Sequence, residues 1–157
     1  MAGAATAFLV AALALAACSG ASDGDSGGAS GGDSAPLNID ERWTAICEAP
    51  LAPGQGVPSA ERFRTADEGL AEMDQLLESE DLNGASSVFF SQVHDLTHDI
   101  DGALRGTKPA LAKDLCAIIG QMEADFAGGE GASSLKALAG RARELMREAS
   151  NLLGYSE

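Results

Sequence analysis

Apolar residues in this chain recur at alternating steps of three and four, a spacing that only amphipathic helices use. Between Ser59 and Asp81 the series is Phe63, Ala66, Leu70, Met73 and Leu77, which falls on one face at 3.6 residues per turn. The pattern returns as Phe89, Val93, Leu96, Ile100 and Leu104, then as Leu111, Leu115, Ile118, Ile119, Met122 and Phe126. A last series runs Leu135, Leu138, Ala142, Leu145, Met146, Ala149 and Leu153. No run alternates with period two, and no internal repeat is visible.

Punctuation between the stripes supports the same division. Ser59 is an N-cap candidate, Leu82-Asn83-Gly84 a break, Gly106 a stop, Thr107-Lys108-Pro109 a start, and Gly128-Gly129-Glu130-Gly131 a connection before a helix from about Ser133. Upstream, Asn38-Ile39-Asp40-Glu41 has the form of a capping box. It opens a short helix with Ile39, Trp43, Ile46 and Cys47 on one stripe, ending before Pro50. Ala49 to Pro58 holds three prolines and two glycines and reads as a loop. The expectation is an all-α domain over residues 37–157: an antiparallel four-helix-type bundle with a short extra N-terminal helix.

Charge narrows both packing and partners. Residues 59–81 carry eight acids and two arginines, whereas residues 134–153 carry one lysine, three arginines and two acids, so these two helices are expected to be neighbours. The whole chain stands at −14, which repels a phosphate backbone and argues against nucleic acid as a partner. With Trp43, Tyr155 and five Phe as its only aromatics, the chain also lacks base-stacking platforms.

The first 36 residues have a different character. Ala4 to Ala17 is an uncharged apolar run of 14 residues, short for a bilayer span and suited to the core of an export signal. Met1-Ala2-Gly3 departs from the usual signal by carrying no basic residue. The run ends in Leu15-Ala16-Ala17-Cys18, which resembles the lipobox of bacterial lipoproteins. That resemblance covers residues 1–18 only. It implies cleavage after residue 17, a lipid on Cys18, and attachment to an envelope membrane on its extracytoplasmic side. Ser19 stands where an Asp retains such proteins in the inner membrane of enterobacteria-like cells, which by analogy favours the outer membrane if the organism has one. Residues 18–36, Gly, Ser and Asp for the most part, have little apolar surface to bury and read as a tether.

With Cys18 assigned to the anchor, Cys47 and Cys116 remain as an even pair, and an oxidising compartment is expected to join them.

His94 and His98, the chain's two histidines, lie one helical turn apart in V-H-D-L-T-H-D-I-D. They project about 40° apart on a helical wheel, with Asp101 beside them and away from the apolar stripe. Imidazoles at this spacing chelate Zn²⁺ or Cu²⁺, and a carboxylate adds a third bond. The expectation is a surface metal site of His94, His98 and Asp101, set against the simpler reading of a solvated polar face.

Catalytic patterns do not complete themselves. H-D-L-T-H is similar to the zincin motif, but Asp95 replaces its Glu base. The His-Asp doublets resemble those of helical phosphohydrolases, which need a further upstream histidine. Haem ligation of the soluble b-type cytochrome kind needs an inward histidine, and a c-type site needs C-x-x-C-H. The functional expectation is therefore a non-catalytic interaction module with an envelope protein partner and no cofactor. Its alternative is a periplasmic or extracellular transition-metal-binding protein using His94 and His98.

Overall fold

A computed structural model describes residues 37–155 apart from Gln55 and Glu130. The expected signal, lipidation site and tether, residues 1–36, lie outside the described residues. Among the described residues six α-helices follow in order: α1 (Glu41–Ile46), α2 (Ala60–Glu78), α3 (Leu82–Val88), α4 (His94–Leu104), α5 (Pro109–Gly128) and α6 (Ala132–Leu152). Helices α3 and α4 are joined without a break by a π-helical turn, Phe89–Val93. Among the described residues there is no strand.

The α3–π–α4 rod counts as one long helix, so four rods close a ring in which α2 packs on this rod and on α6, and α5 packs on α6 and on α4. Short connections force consecutive rods to run antiparallel. Contacts across the closing pair show the same sense: Asp67, early in α2, meets Arg143 and Arg147 late in α6, while Glu78 at the end of α2 meets Lys136 near the start of α6. The acidic and basic helices are therefore neighbours, as their charge predicts.

All four stripes face one core. Phe89, Met73, Leu77, Leu96, Ile100, Leu115, Met122, Leu135 and Leu138 are its largest fully buried side chains. Each contributes about 1.5–3 kcal/mol through burial. Buried polar side chains also lie among these helices, Asp125 being one of them. Asp125 accepts from Gln121 Nε2 at 2.6 Å and Ser134 Oγ at 2.9 Å, tying the end of α5 to the start of α6. Gly129, at φ 70°, ends α5 in the left-handed region that favours glycine.

Two helix starts differ from expectation. Asp40, not Asn38, caps α1, accepting from the Arg42 N–H at 2.9 Å. Its own N–H is held by Gln121 Oε1 on α5 at 2.9 Å, and this tertiary bond fixes where the helix can begin. The break after α2 comes earlier than Leu82-Asn83-Gly84, because Asp81 accepts from the Gly84 N–H at 2.9 Å and so makes Leu82 the first helical residue. Ile46, assigned to the buried stripe, is 52% exposed, since α1 stops at that residue.

Helix α1 lies outside the ring against α5. Trp43 rests on Gly120, where an added Cβ would come within 2.4 Å of the indole. Cys47 and Cys116 are joined by a disulfide, with Cα atoms 5.9 Å apart, both residues being buried. The expected staple between the N-terminal helix and the fourth long stripe is thus present.

Candidate functional site

The Pro- and Gly-rich segment after α1, residues 47–54 and 56–58, crosses the polar face of α4 as a strap. Four polar contacts tie it to α4 and to Arg105, which caps that helix. Arg105 Nη1 donates to the Cys47 carbonyl at 2.7 Å, Asp101 Oδ2 accepts the Leu51 N–H at 3.0 Å, His98 Nδ1 donates to the Ala52 carbonyl at 3.0 Å, and Asp99 Oδ1 accepts the Gly56 N–H at 3.1 Å. Gly54 lets the strap come this close, because an added Cβ would overlap the Asp99 carboxylate. Two aspartates on α4 are buried by this cover, and each is neutralised by an arginine, Asp99 by Arg62 and Asp101 by Arg105.

Asp101 is held by the strap and by Arg105. It shares a helical face with His94 and His98, but that face is roofed by the strap rather than open to solvent. Both of its carboxylate oxygens are engaged, one by Leu51 and one by Arg105. Among the described residues, no three His, Cys, Asp or Glu side chains are already gathered at metal-binding separations.

The histidines nevertheless converge. Their ring centroids lie 5.1 Å apart. Glu123 on α5 brings a carboxylate oxygen to 2.9 Å from His94 Nε2, while Asp95 approaches His94 Nδ1 at 3.1 Å. Glu123 is one turn from Ile119 and two from Cys116, on the flank of the α5 stripe, and nothing local in the sequence announces its meeting with α4. The bond to Glu123 is the chief reason the His94 pKa is raised above its usual 6.5, against the opposing effect of burial; Asp95 adds to the rise.

Packing fixes His94 further. Its ring lies 5.9 Å from that of Phe89 and 5.5 Å from that of Phe90. Both phenylalanines belong to the π-helical turn, a helical irregularity that often accompanies functional sites.

These groups line a crevice of about 280 Å³ between α1, the strap, α4 and α5. Trp43, Ile46, Leu51 and Ile119 form its apolar side; His94, His98, Thr97 and Glu123 form its polar side. Thr97 is buried, and its hydroxyl has no hydrogen-bond partner among the described residues.

A larger groove of about 410 Å³ lies between α2 and α6, with Phe63, Leu70, Met146 and Tyr155 beneath Arg64, Arg143 and Arg147. Its cations are already paired, Arg143 and Arg147 with Asp67 and Arg64 with Glu68. The histidine crevice differs from this groove in holding a buried hydroxyl without a partner among the described residues, and it is taken as the candidate site.

Comparison with protein-family models, with curated proteins and with solved structures finds no match to this chain. Its function must be argued from the residues themselves.

Proposed function

We propose that this chain is a bacterial envelope lipoprotein, anchored through a lipid on Cys18, whose helical domain is a non-catalytic binding module for an envelope partner. The observation that carries the proposal is the apolar run closing on Leu15-Ala16-Ala17-Cys18 and followed directly by Gly, Ser and Asp residues. The Cys47–Cys116 disulfide supports it, because such bonds persist in oxidising compartments outside the cytoplasm. Among the described residues no helix is long and apolar enough to cross a membrane. One acyl chain binds a bilayer only marginally, and the two chains of a diacylglyceryl group give a stable anchor.

The non-catalytic reading is supported by where the imidazoles are committed. Their hydrogen bonds go to Asp95, Glu123 and the Ala52 carbonyl, whereas nucleophilic catalysis pairs a histidine with a hydroxyl or thiol. Ile46, Val57 and Phe90 leave apolar surface exposed on α1, the strap and the π-helical turn, which suits a protein partner at that side. The test of anchoring is a Cys18→Ser variant, expected to lose lipid labelling and leave the membrane fraction; unchanged partitioning into detergent rejects the lipoprotein.

A second reading is favoured by one specific observation, the two imidazoles beside the Glu123 carboxylate. In it the same module binds Zn²⁺ or Cu²⁺ through His94 and His98.

A further inference from the structure

We infer that Glu123, and not Asp101, completes a site for a zinc- or copper-class divalent ion together with Nε2 of His94 and Nε2 of His98. The inference rests on the metal-binding reading above and supplies its ligand set.

A histidine that ligates a metal through Nε2 characteristically donates its Nδ1–H to a carboxylate or a backbone carbonyl, which fixes the tautomer and aims the lone pair. Both histidines have that arrangement here. His94 Nδ1 lies 3.1 Å from Asp95 Oδ1, and His98 Nδ1 lies 3.0 Å from the Ala52 carbonyl oxygen. A carbonyl accepts only, so the proton of a neutral His98 belongs on Nδ1, and its Nε2 presents a lone pair.

The third ligand follows from what already sits on His94. Its Nε2 is 2.9 Å from Glu123 Oε1, the separation of two groups sharing a proton. A metal at about 2.0–2.2 Å from each replaces that proton once the two draw apart. Glu123 is able to do this because its side chain is 36% exposed and turns about three torsions. Asp101 is held back, because withdrawing it leaves the Arg105 cation without its counter-ion and the part-buried Leu51 N–H without its acceptor.

A second, independent observation marks the place. The Thr97 hydroxyl lies on the turn of α4 between the two histidines, buried and unpartnered, in the wall of the same crevice. Buried hydroxyls are nearly always satisfied, so one left open beside two imidazoles points to a polar occupant such as metal-bound water.

The experiment uses the full chain in detergent, stripped of metal, titrated calorimetrically with Zn²⁺ at neutral pH. Wild type is expected to bind one ion per chain. Affinity is expected to fall about 100-fold in His94→Ala and His98→Ala, and 10- to 100-fold in Glu123→Gln and, through the supporting contact, in Asp95→Asn. The Glu123 side-chain carboxyl ¹³C resonance of wild type should shift in step with the two imidazole ¹⁵N resonances, a readout that survives if a variant misfolds. If Zn²⁺ does not bind, or binds equally to every variant, both the metal reading and this ligand set are overturned. If binding needs the histidines but Glu123→Gln matches wild type and its carboxyl resonance stays still, the metal reading stands and the assignment of Glu123 is overturned.

Discussion

Asp101 on α4 accepts the backbone N–H of Leu51, fifty residues earlier in the chain, at 3.0 Å, and with its other oxygen neutralises Arg105. One carboxylate thus closes the strap over α4 and balances a cation that is only 14% exposed. Removing it leaves that charge uncompensated. Asp101→Ala is therefore expected to lower unfolding stability by about 3–5 kcal/mol. An Asp101→Leu/Arg105→Met double variant should recover much of the loss, because it takes away both charges together. Denaturant unfolding of both proteins checks this, and a single variant as stable as wild type contradicts it.

The disulfide makes a separate prediction. Cys47 and Cys116 are 69 residues apart, and closing a loop of that length contributes about 4 kcal/mol in the chain-entropy model. Reduction should lower the midpoint of unfolding and release α1 first, since α1 packs outside the ring. Trp43, the chain's single tryptophan, reports this directly. Its emission should shift to the red in dithiothreitol while far-ultraviolet circular dichroism keeps the helical signal of the bundle.

The sequence foretold the bundle because its information is local: each stripe repeats within one helix, and opposite net charges on α2 and α6 are sums over single segments. An even cysteine count and the expectation of an oxidising compartment likewise pointed to the disulfide. The site was only half legible. His94 and His98 announce themselves by spacing, but Glu123 meets His94 only through the packing of α5 on α4. The burial of Asp99 and Asp101 depends on a strap more than forty residues away. A faint signal existed in Arg105, four residues after Asp101 and so on the same face of the helix. Another lay in a Pro/Gly segment whose free N–H groups required acceptors somewhere. The π-helical turn has no signature, since Phe89, Phe90 and Val93 fit an ordinary helix.

Gly120 is the point on α5 where the indole of Trp43 comes close to the backbone. A Gly120→Ala methyl would sit 2.4 Å from a ring carbon, so α1 must move away. A loss of about 1–3 kcal/mol is expected, as for overpacking elsewhere. The loss should be accompanied by faster hydrogen exchange of the Leu51 amide, with α2 and α6 unchanged. Uniform acceleration throughout the domain would show that α1 is not separately docked.

Asp67 joins α2 to α6 through Arg143, with Nε and Nη2 both at 2.6 Å, and through Arg147 at 3.1 Å. The bond from Arg143 is the main cause that lowers its pKa from 3.8 to about 2, with Arg147 assisting and burial opposing. A carboxyl depressed in the folded state stabilises in full above its unfolded value and loses that contribution as pH falls through about 2. Because the side chain is 35% exposed, screening limits the effect, and Asp67→Asn should cost about 1 kcal/mol at pH 7. The gap between variant and wild type should narrow from pH 4 downward. A gap unchanged at pH 2 would assign the loss to packing.

His94 reverses the sign. Its pKa is raised above 6.5, first by the Glu123 hydrogen bond and then by Asp95, with burial opposing. A base whose folded value lies above its unfolded one stabilises fully below the unfolded value, and that stabilisation disappears as pH rises through the folded one. In metal-free protein, wild type should therefore exceed Glu123→Gln in stability by about 1 kcal/mol at pH 6. The difference should shrink as pH rises beyond 6.5 and the imidazolium gives up its proton, leaving Glu123 facing a neutral ring. Chemical unfolding of both proteins across pH 5.5 to 9, with chelator present, measures that difference. A constant difference over the range would mean that Glu123 supports α5 through packing or a neutral hydrogen bond, and that the ion pair with His94 contributes nothing to the fold.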